Sequence, residues 1–392
     1  MAIKYNLASS SWDNSEIDAM QKVIDSGFFT MGENVKKFES DFADYFGSKH
    51  AVMVNSGSSA NLLSIASLFF LKKNPLKRGD EVIVPSVSWS TTYTPLQQYG
   101  LRLKFVDISL DTLNYDLEKL TNAISEKTRL IVAVNLLGNS NEFDRIEKMI
   151  KEKDIYLFED NCESMGAKFD SKFTGTFGIA GSFSTFFSHH ISTMEGGVVL
   201  TNNFELYNIM LSLRAHGWTR NLGIDNPLHK KSNNKFIESF NFILPGYNLR
   251  PLELSGAIGI EQLKKLSKLI EMRRKNASYF HELFKNNDKI IIQKEIGQSS
   301  WFGFSIIINE RNTSIKREDL IIELENSGIE TRPIVSGNFV KNKVLDFFDY
   351  EIFEDLTNSE ILDKNGFFVG NHHYDLKNEL EHLNKIINKV LI

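Results

Sequence analysis

At 392 residues, with 42% hydrophobic and 24% charged side chains and a net charge of −5, the chain has the composition of an ordinary globular protein and exceeds the size at which one core stops growing. Two domains, or one large domain with an appendage, are expected, and the absence of a basic field argues against nucleic acid as a partner. The one cysteine, Cys162, excludes an intrachain disulfide and an iron–sulfur cluster held by the chain alone, which needs about four thiolates.

No metal site is expected. The first residues, "MAIKYNLASSSWD", lack the layout of a signal peptide, and the most apolar stretch, residues 64–71, is too short to span a bilayer. A cytoplasmic protein without membrane contact is the expectation.

Asp13 reads as an N-cap, and Ile17, Met20, Val23 and Ile24 keep helical spacing up to Gly27. Val35, Phe38, Phe42, Tyr45 and Phe46 mark a second amphipathic helix ending at Gly47. Together they form an N-terminal arm. From there, seven short apolar runs alternate with helical patterns, at 51–54, 82–84, 103–106, 130–134, 155–158, 183–187 and 198–200. This alternation predicts an α/β fold with a mostly parallel seven-stranded sheet flanked by helices.

A long helix over 251–284 leads to a second region with a strand in "WFGFSIIIN", a helix over 316–327 and a strand in "IETRPIV". The division is placed at residue 265. Residues 1–265 hold the arm and a large cofactor-binding domain, and 266–392 a small C-terminal α/β domain.

Ligands of open parallel sheets sit beyond the carboxyl ends of the strands, and there the polar residues fall. "NSGSSANLL" sets Gly57, Ser58 and Ser59 at a helix start, where backbone N–H groups can cradle one phosphate; the same pattern also suits a capped helix after a tight turn. Trp89, just past a strand, can stack on a flat ligand or join the core. Asp160, ending "YLFED", is a carboxylate at an apolar strand mouth, which calls for a cation, a hydrogen-bonding partner or a helix to cap. A phosphate cradle, a stacking ring and a carboxylate able to keep a pyridine nitrogen protonated are three handles of pyridoxal phosphate. The fourth handle is normally a lysine bonded to its aldehyde.

The order "NSGSSAN", "PSVSWSTTY", "FEDNCESMGA", "SFSTFFSHHISTMEGG" and "LPGYNLRPLELSGAIGIEQL" resembles the DegT/DnrJ/EryC1/StrS sugar aminotransferases over nearly the whole chain. The resemblance implies the aspartate aminotransferase (type I) fold. Position by position it implies that Gly57, Ser58 and Ser184 bind the phosphate, that Trp89 stacks on the ring, that Asp160 meets the ring nitrogen and that Glu163 lies near the cofactor. It implies that Asn248 reaches the phosphate of a second subunit, making a homodimer with shared active sites. Arg220, Arg250, His216 and Arg332 are candidates for substrate contacts.

One position departs from the family pattern. Where most members carry the cofactor-bonding lysine, this chain has His189, followed by His190. Members with histidine there are sugar 3-dehydratases, so the resemblance implies cofactor held without a covalent link, as pyridoxal and pyridoxamine phosphate in turn. It implies glutamate as amino donor and a nucleotide-linked 4-keto-6-deoxy sugar, GDP-4-keto-6-deoxymannose, as substrate, losing its C3 hydroxyl for colitose-type dideoxysugar (O-antigen) synthesis. His189 is the expected acid–base residue, since imidazole titrates near neutrality, and His190 is expected to be a packed structural residue. Two other outcomes stay open at this point: a 4-aminotransferase of the perosamine type, and a non-catalytic relative that has lost its lysine.

Overall fold

The computed structural model describes residues 4–391. Its strands are β1 (His50–Val54), β2 (Glu81–Pro85), β3 (Arg102–Val106), β4 (Thr128–Val134), β5 (Tyr156–Asp160), β6 (Lys168–Phe169), β7 (Lys172–Phe173), β8 (Ala180–Ser184), β9 (Gly197–Thr201), β10 (Ile290–Ile292), β11 (Gly303–Ile308), β12 (Tyr350–Ile352) and β13 (Gly366–Gly370). Its α-helices are α1 (Asn14–Ser26), α2 (Glu33–Phe46), α3 (Gly57–Leu68), α4 (Ser90–Gln98), α5 (Leu117–Ala123), α6 (Phe143–Ile150), α7 (Phe204–Arg214), α8 (Lys235–Glu238), α9 (Glu253–Phe284), α10 (Arg317–Asn326), α11 (Thr357–Asn365) and α12 (Lys377–Val390).

The predicted runs enter one sheet, in the order β1-β9-β8-β5-β4-β2-β3-β12, although of the run at 183–187 only Phe183 and Ser184 belong to a strand, which starts earlier, at Ala180. Only β9 runs antiparallel to its neighbours. The eighth strand, β12, comes from far along the chain and pairs in parallel with β3. Apolar side chains of α3, α4 and α7 cover one face of the sheet, and those of α5 and α6 part of the other. The arm packs on that second face through Phe38, Phe42 and Phe46, which meet Phe183 and the α9 residues Leu263 and Leu266.

Both arm helices are anchored to α9. Asp13 and Glu16 form a capping box on α1, and Glu16, fully buried, pairs with Lys265 at 2.6 Å. Glu253 accepts from the Gly32 and Asn34 N–H groups, each at 2.6 Å, and so caps α2 from a distant element. The division expected at residue 265 falls inside α9, which runs unbroken from the large domain into the small one.

In the small domain β10, β11 and β13 form an antiparallel sheet. The strand expected over "IETRPIV" does not form. Residues 329–335 make only the isolated pairs Tyr5 with Ile329 and Arg332 with Phe368, because Pro333 has no N–H to give and Val335 takes a left-handed φ of 43°. Residues 366–370 supply the sheet's third strand. Among the described residues no helix is long and apolar enough to cross a membrane.

Candidate active site

The carboxyl ends of β5 and β8 and the turns after β1 and β2 open onto one cavity of ≈ 560 Å³, closed on the far side by Phe302, Arg332, Pro333 and Phe368 of the small domain. Of the sequence-derived site residues, Gly57, Ser58, Trp89, Asp160, Glu163, Ser184, His189 and Arg332 line it. Asn248, Arg220, Arg250 and His216 do not.

Ser56 caps α3, its hydroxyl accepting from the Ser59 N–H at 3.0 Å. The Gly57 and Ser58 N–H groups lie in the first turn, where a helix has no carbonyl to offer them. Gly57 must be glycine for a packing reason: a Cβ there would stand 2.7 Å from Ser184 Cβ and 3.1 Å from Cys162 Sγ. The close approach brings the helix start, with its partial positive charge, against the Ser184 hydroxyl.

Asp160 is 6% exposed and receives three neutral donors: Asn61 Nδ2 at 2.8 Å, Thr92 Oγ1 at 2.7 Å and the Cys162 N–H at 3.2 Å. Among the described residues it has no cationic partner, which a buried carboxylate normally requires. Trp89 stands at the cavity wall with 58% of its surface exposed. A flat ring bearing a protonated nitrogen and a phosphate matches all three features, so the residues fit pyridoxal phosphate.

His189 sits in the turn after β8, its N–H bonded to the Phe186 carbonyl at 2.9 Å and its ring 5.2 Å from that of Phe302. Its Nδ1 is buried without a hydrogen-bond partner. Burial, with a smaller contribution from the Arg273 charge, lowers its pKa to about 4, so at neutral pH the ring is uncharged and able to accept a proton. No lysine lines the cavity among the described residues.

His190 behaves as expected of a packed residue: it is 1% exposed, its Nε2 lies 3.2 Å from the Ser300 carbonyl, and burial holds its pKa well below the usual value. Glu163 faces the cavity and accepts from the Leu137 N–H at 3.0 Å. Burial pushes its pKa up to about 7, the Leu137 bond opposing and the Asp160 charge adding to the rise.

The four predicted residues outside the cavity gather around Trp218. Arg220 and Arg250 lie over its ring at 5.4 and 5.8 Å, the His216 ring is 4.7 Å away, and Arg250 Nε donates to Asn248 Oδ1 at 3.0 Å. Sequence reasoning missed Asn61 and Thr92, although Asn61 lies four residues after Gly57 on the same helical face. It also missed Arg273 and Phe302, which come from α9 and the start of the small domain.

The fold and this cavity define a cofactor-binding site of the aminotransferase type, and similarity to known proteins agrees. Residues 10–390 match the DegT/DnrJ/EryC1/StrS aminotransferase family, and the chain belongs to that family. It is 61% identical over 389 residues to a GDP-4-keto-6-deoxy-D-mannose 3-dehydratase from Yersinia pseudotuberculosis, covering 99% of each chain. It superposes with a TM-score of 0.97, at 58% identity, on the Escherichia coli GDP-4-keto-6-deoxy-D-mannose 3-dehydratase solved with bound hydrated PLP, covering 98% of this chain and 100% of that one. A GDP-4-keto-6-deoxymannose 3-dehydratase structure with a trapped PLP–glutamate geminal diamine gives a TM-score of 0.96 at 58% identity, with the same coverage.

Proposed function

We propose that this chain removes the C3 hydroxyl of GDP-4-keto-6-deoxymannose, using glutamate as amino donor, to give GDP-4-keto-3,6-dideoxymannose, 2-oxoglutarate and ammonia. The observation that carries the reading is His189: an uncharged imidazole with a free Nδ1 on the wall of a cavity that no described lysine lines. Pyridoxal phosphate, when bound, supplies an electron sink and carries the amino group from glutamate to the sugar's C4.

Asp160, oriented by its three donors, holds the ring nitrogen, while Gly57, Ser58 and Ser184 hold the phosphate and Trp89 the ring face. His189 accepts a carbon-bound proton and gives a proton to the departing C3 oxygen, one ring serving as base and then acid. A primary amine at that position would instead bond the cofactor and favour amino transfer, which separates this activity from that of the 4-aminotransferases. Arg332, exposed at the cavity wall and without an ion-pair partner among the described residues, is suited to a substrate phosphate or carboxylate.

The cluster of Asn248, Arg220, Arg250 and His216 around Trp218 lies outside its own chain's cavity. We assign it to the active site of a second copy, so that a homodimer completes both sites. Glutamate and a nucleotide-linked sugar are cytoplasmic metabolites, and we place the protein there.

Incubation with pyridoxal phosphate, glutamate and GDP-4-keto-6-deoxymannose tests the reading. Stoichiometric ammonia and a 3-deoxy sugar are expected, and His189→Asn should slow their release at least about 100-fold. Recovery of a 4-amino sugar in their place would overturn it.

A further inference from the structure

Among the described residues the His189 imidazole has no hydrogen-bond partner on Nδ1, which is buried. Its ring lies against those of Phe302 and Phe186, at 5.2 and 6.1 Å between centroids. Where a third group aims a catalytic imidazole, that group bonds the ring nitrogen facing away from the chemistry. Here the direction of the ring follows from how the backbone of its turn is held.

That backbone is fastened just past His189, at three successive residues and by three parts of the chain. His190 Nε2 meets the Ser300 carbonyl at 3.2 Å, and Ile191 is fully buried in the apolar cluster that holds Phe38, Phe42 and Leu266. Ser192 is gripped on both sides: its N–H donates to Gln262 Oε1 at 2.9 Å, and its carbonyl accepts from Trp12 Nε1 at 3.0 Å. Two consecutive peptide planes are thereby fixed by side chains. Two residues on, Met194 takes a left-handed φ of 67°, which a methionine adopts only where the surroundings impose it.

The clamp is itself well supported. Gln262 is fully buried in α9, and its amide makes all four of the hydrogen bonds an amide can make. Besides the Ser192 N–H, Oε1 accepts from the Ser11 hydroxyl at 2.7 Å, while Nε2 donates to the Ser11 carbonyl at 3.3 Å and to Glu16 Oε1 at 2.7 Å. The segment that carries Trp12 is tied down further back, where Ser9 Oγ meets His372 Nδ1 at 2.8 Å.

We propose that Gln262 and Trp12 are positioning residues for the reaction: by clamping Ser192 they fix the backbone from which the His189 imidazole reaches into the cavity. The inference rests on His189 as the acid–base residue of the function proposed above. Neither Gln262 nor Trp12 lines the cavity, so both act through the turn. A ring that serves first as base and then as acid must reach two atoms in succession, and a displacement of about 1 Å can cost up to about 100-fold in rate.

Two readouts test this, one without cofactor and one as a mutational cycle. Trp12→Phe deletes a single N–H and keeps a ring, whereas Gln262→Met removes all four bonds. In cofactor-free protein, hydrogen–deuterium exchange over residues 187–194 should be at least about tenfold faster in both variants than in wild type, the scale of one lost hydrogen bond, with β4 and β5 unchanged. In the loaded enzyme, Trp12→Phe should lower kcat for ammonia release about tenfold, while KM for the nucleotide sugar and the affinity for pyridoxal phosphate stay within about twofold. In a His189→Asn background the same substitution should cost nothing further, because the residue it positions is gone. Unchanged exchange in the variants, an unchanged kcat for Trp12→Phe, or an equal loss in both backgrounds would overturn the proposal. Should Gln262→Met fail to fold, Trp12→Phe decides alone. Absence of a 3-deoxy product from the wild type would instead overturn the reading of the function, and the exchange result would still decide whether the clamp holds the turn.

Discussion

Asn61 Nδ2 lies 2.8 Å from Asp160 Oδ2, and this contact joins the helix that starts at the phosphate cradle to the strand that presents the carboxylate. Asn61 also donates to the Thr91 carbonyl at 3.1 Å and accepts from the Ser182 hydroxyl. One buried amide therefore ties α3, the start of α4, β5 and β8 together. In the proposed reading, the groups that would meet the ring nitrogen and the phosphate of the cofactor are held relative to each other through it.

Replacing Asn61 by Ala should weaken pyridoxal phosphate binding by about tenfold, the order expected for losing one hydrogen bond to a charged group. An absorbance titration reads the effect. If the variant bound cofactor as wild type does, Asn61 would have no part in holding Asp160.

The buried His190 makes acid stability measurable at one site. Unfolded, an imidazole takes a proton below about pH 6.5, whereas in the folded protein burial holds its affinity far lower. The unfolded state thus binds the extra proton, and this residue's contribution to stability declines as pH falls below about 6.5. His190→Gln keeps an N–H for the Ser300 carbonyl but cannot titrate. Urea unfolding between pH 6 and 5 should show the wild type losing about 1.4 kcal/mol per pH unit more than the variant. Equal slopes would mean that His190 is protonated in the fold.

If Asn248 serves the partner's cavity, two inactive variants should complement each other. Co-expressed His189→Asn and Asn248→Ala chains form mixed dimers in which one of the two sites has both residues intact. With random pairing, roughly a quarter of wild-type ammonia release is expected in the mixture. Activity no greater than the sum of the separate variants would place Asn248 in its own chain's site or outside both.

Much of this architecture is written locally in the chain. Asp13 with Glu16, and Gly27 and Gly47 in left-handed conformation at φ 67° and 69°, bound the arm helices as their residue types predict. Six of the seven apolar runs became strands much as placed, because each is flanked by turn residues and buried. The run at 183–187 only overlaps the end of β8 (Ala180–Ser184), since the small residues before it enter the sheet and Phe187 is exposed in the turn that follows. What escaped depends on distant pairing. β12 is three residues long and exists through its register with β3, roughly 250 residues earlier.

"IETRPIV" looks apolar enough for a strand, but proline and the backbone of Val335 prevent a ladder. In the site, Gly57, Ser58, Trp89 and Asp160 were legible because strand ends in such sheets collect ligand-binding groups, whereas Ser184 and the role of His189 came from the family resemblance. Arg273 and Phe302 were not legible, since only tertiary packing brings α9 and the small domain to His189.

Among the described residues no lysine lines the cavity, and the His189 imidazole stands where the family's lysine is expected. Borohydride treatment of the protein saturated with pyridoxal phosphate, followed by intact-mass and peptide analysis, tests this most directly. The predicted result is a chain of unchanged mass once excess cofactor is removed. A stoichiometric pyridoxyl group fixed to one lysine would contradict it.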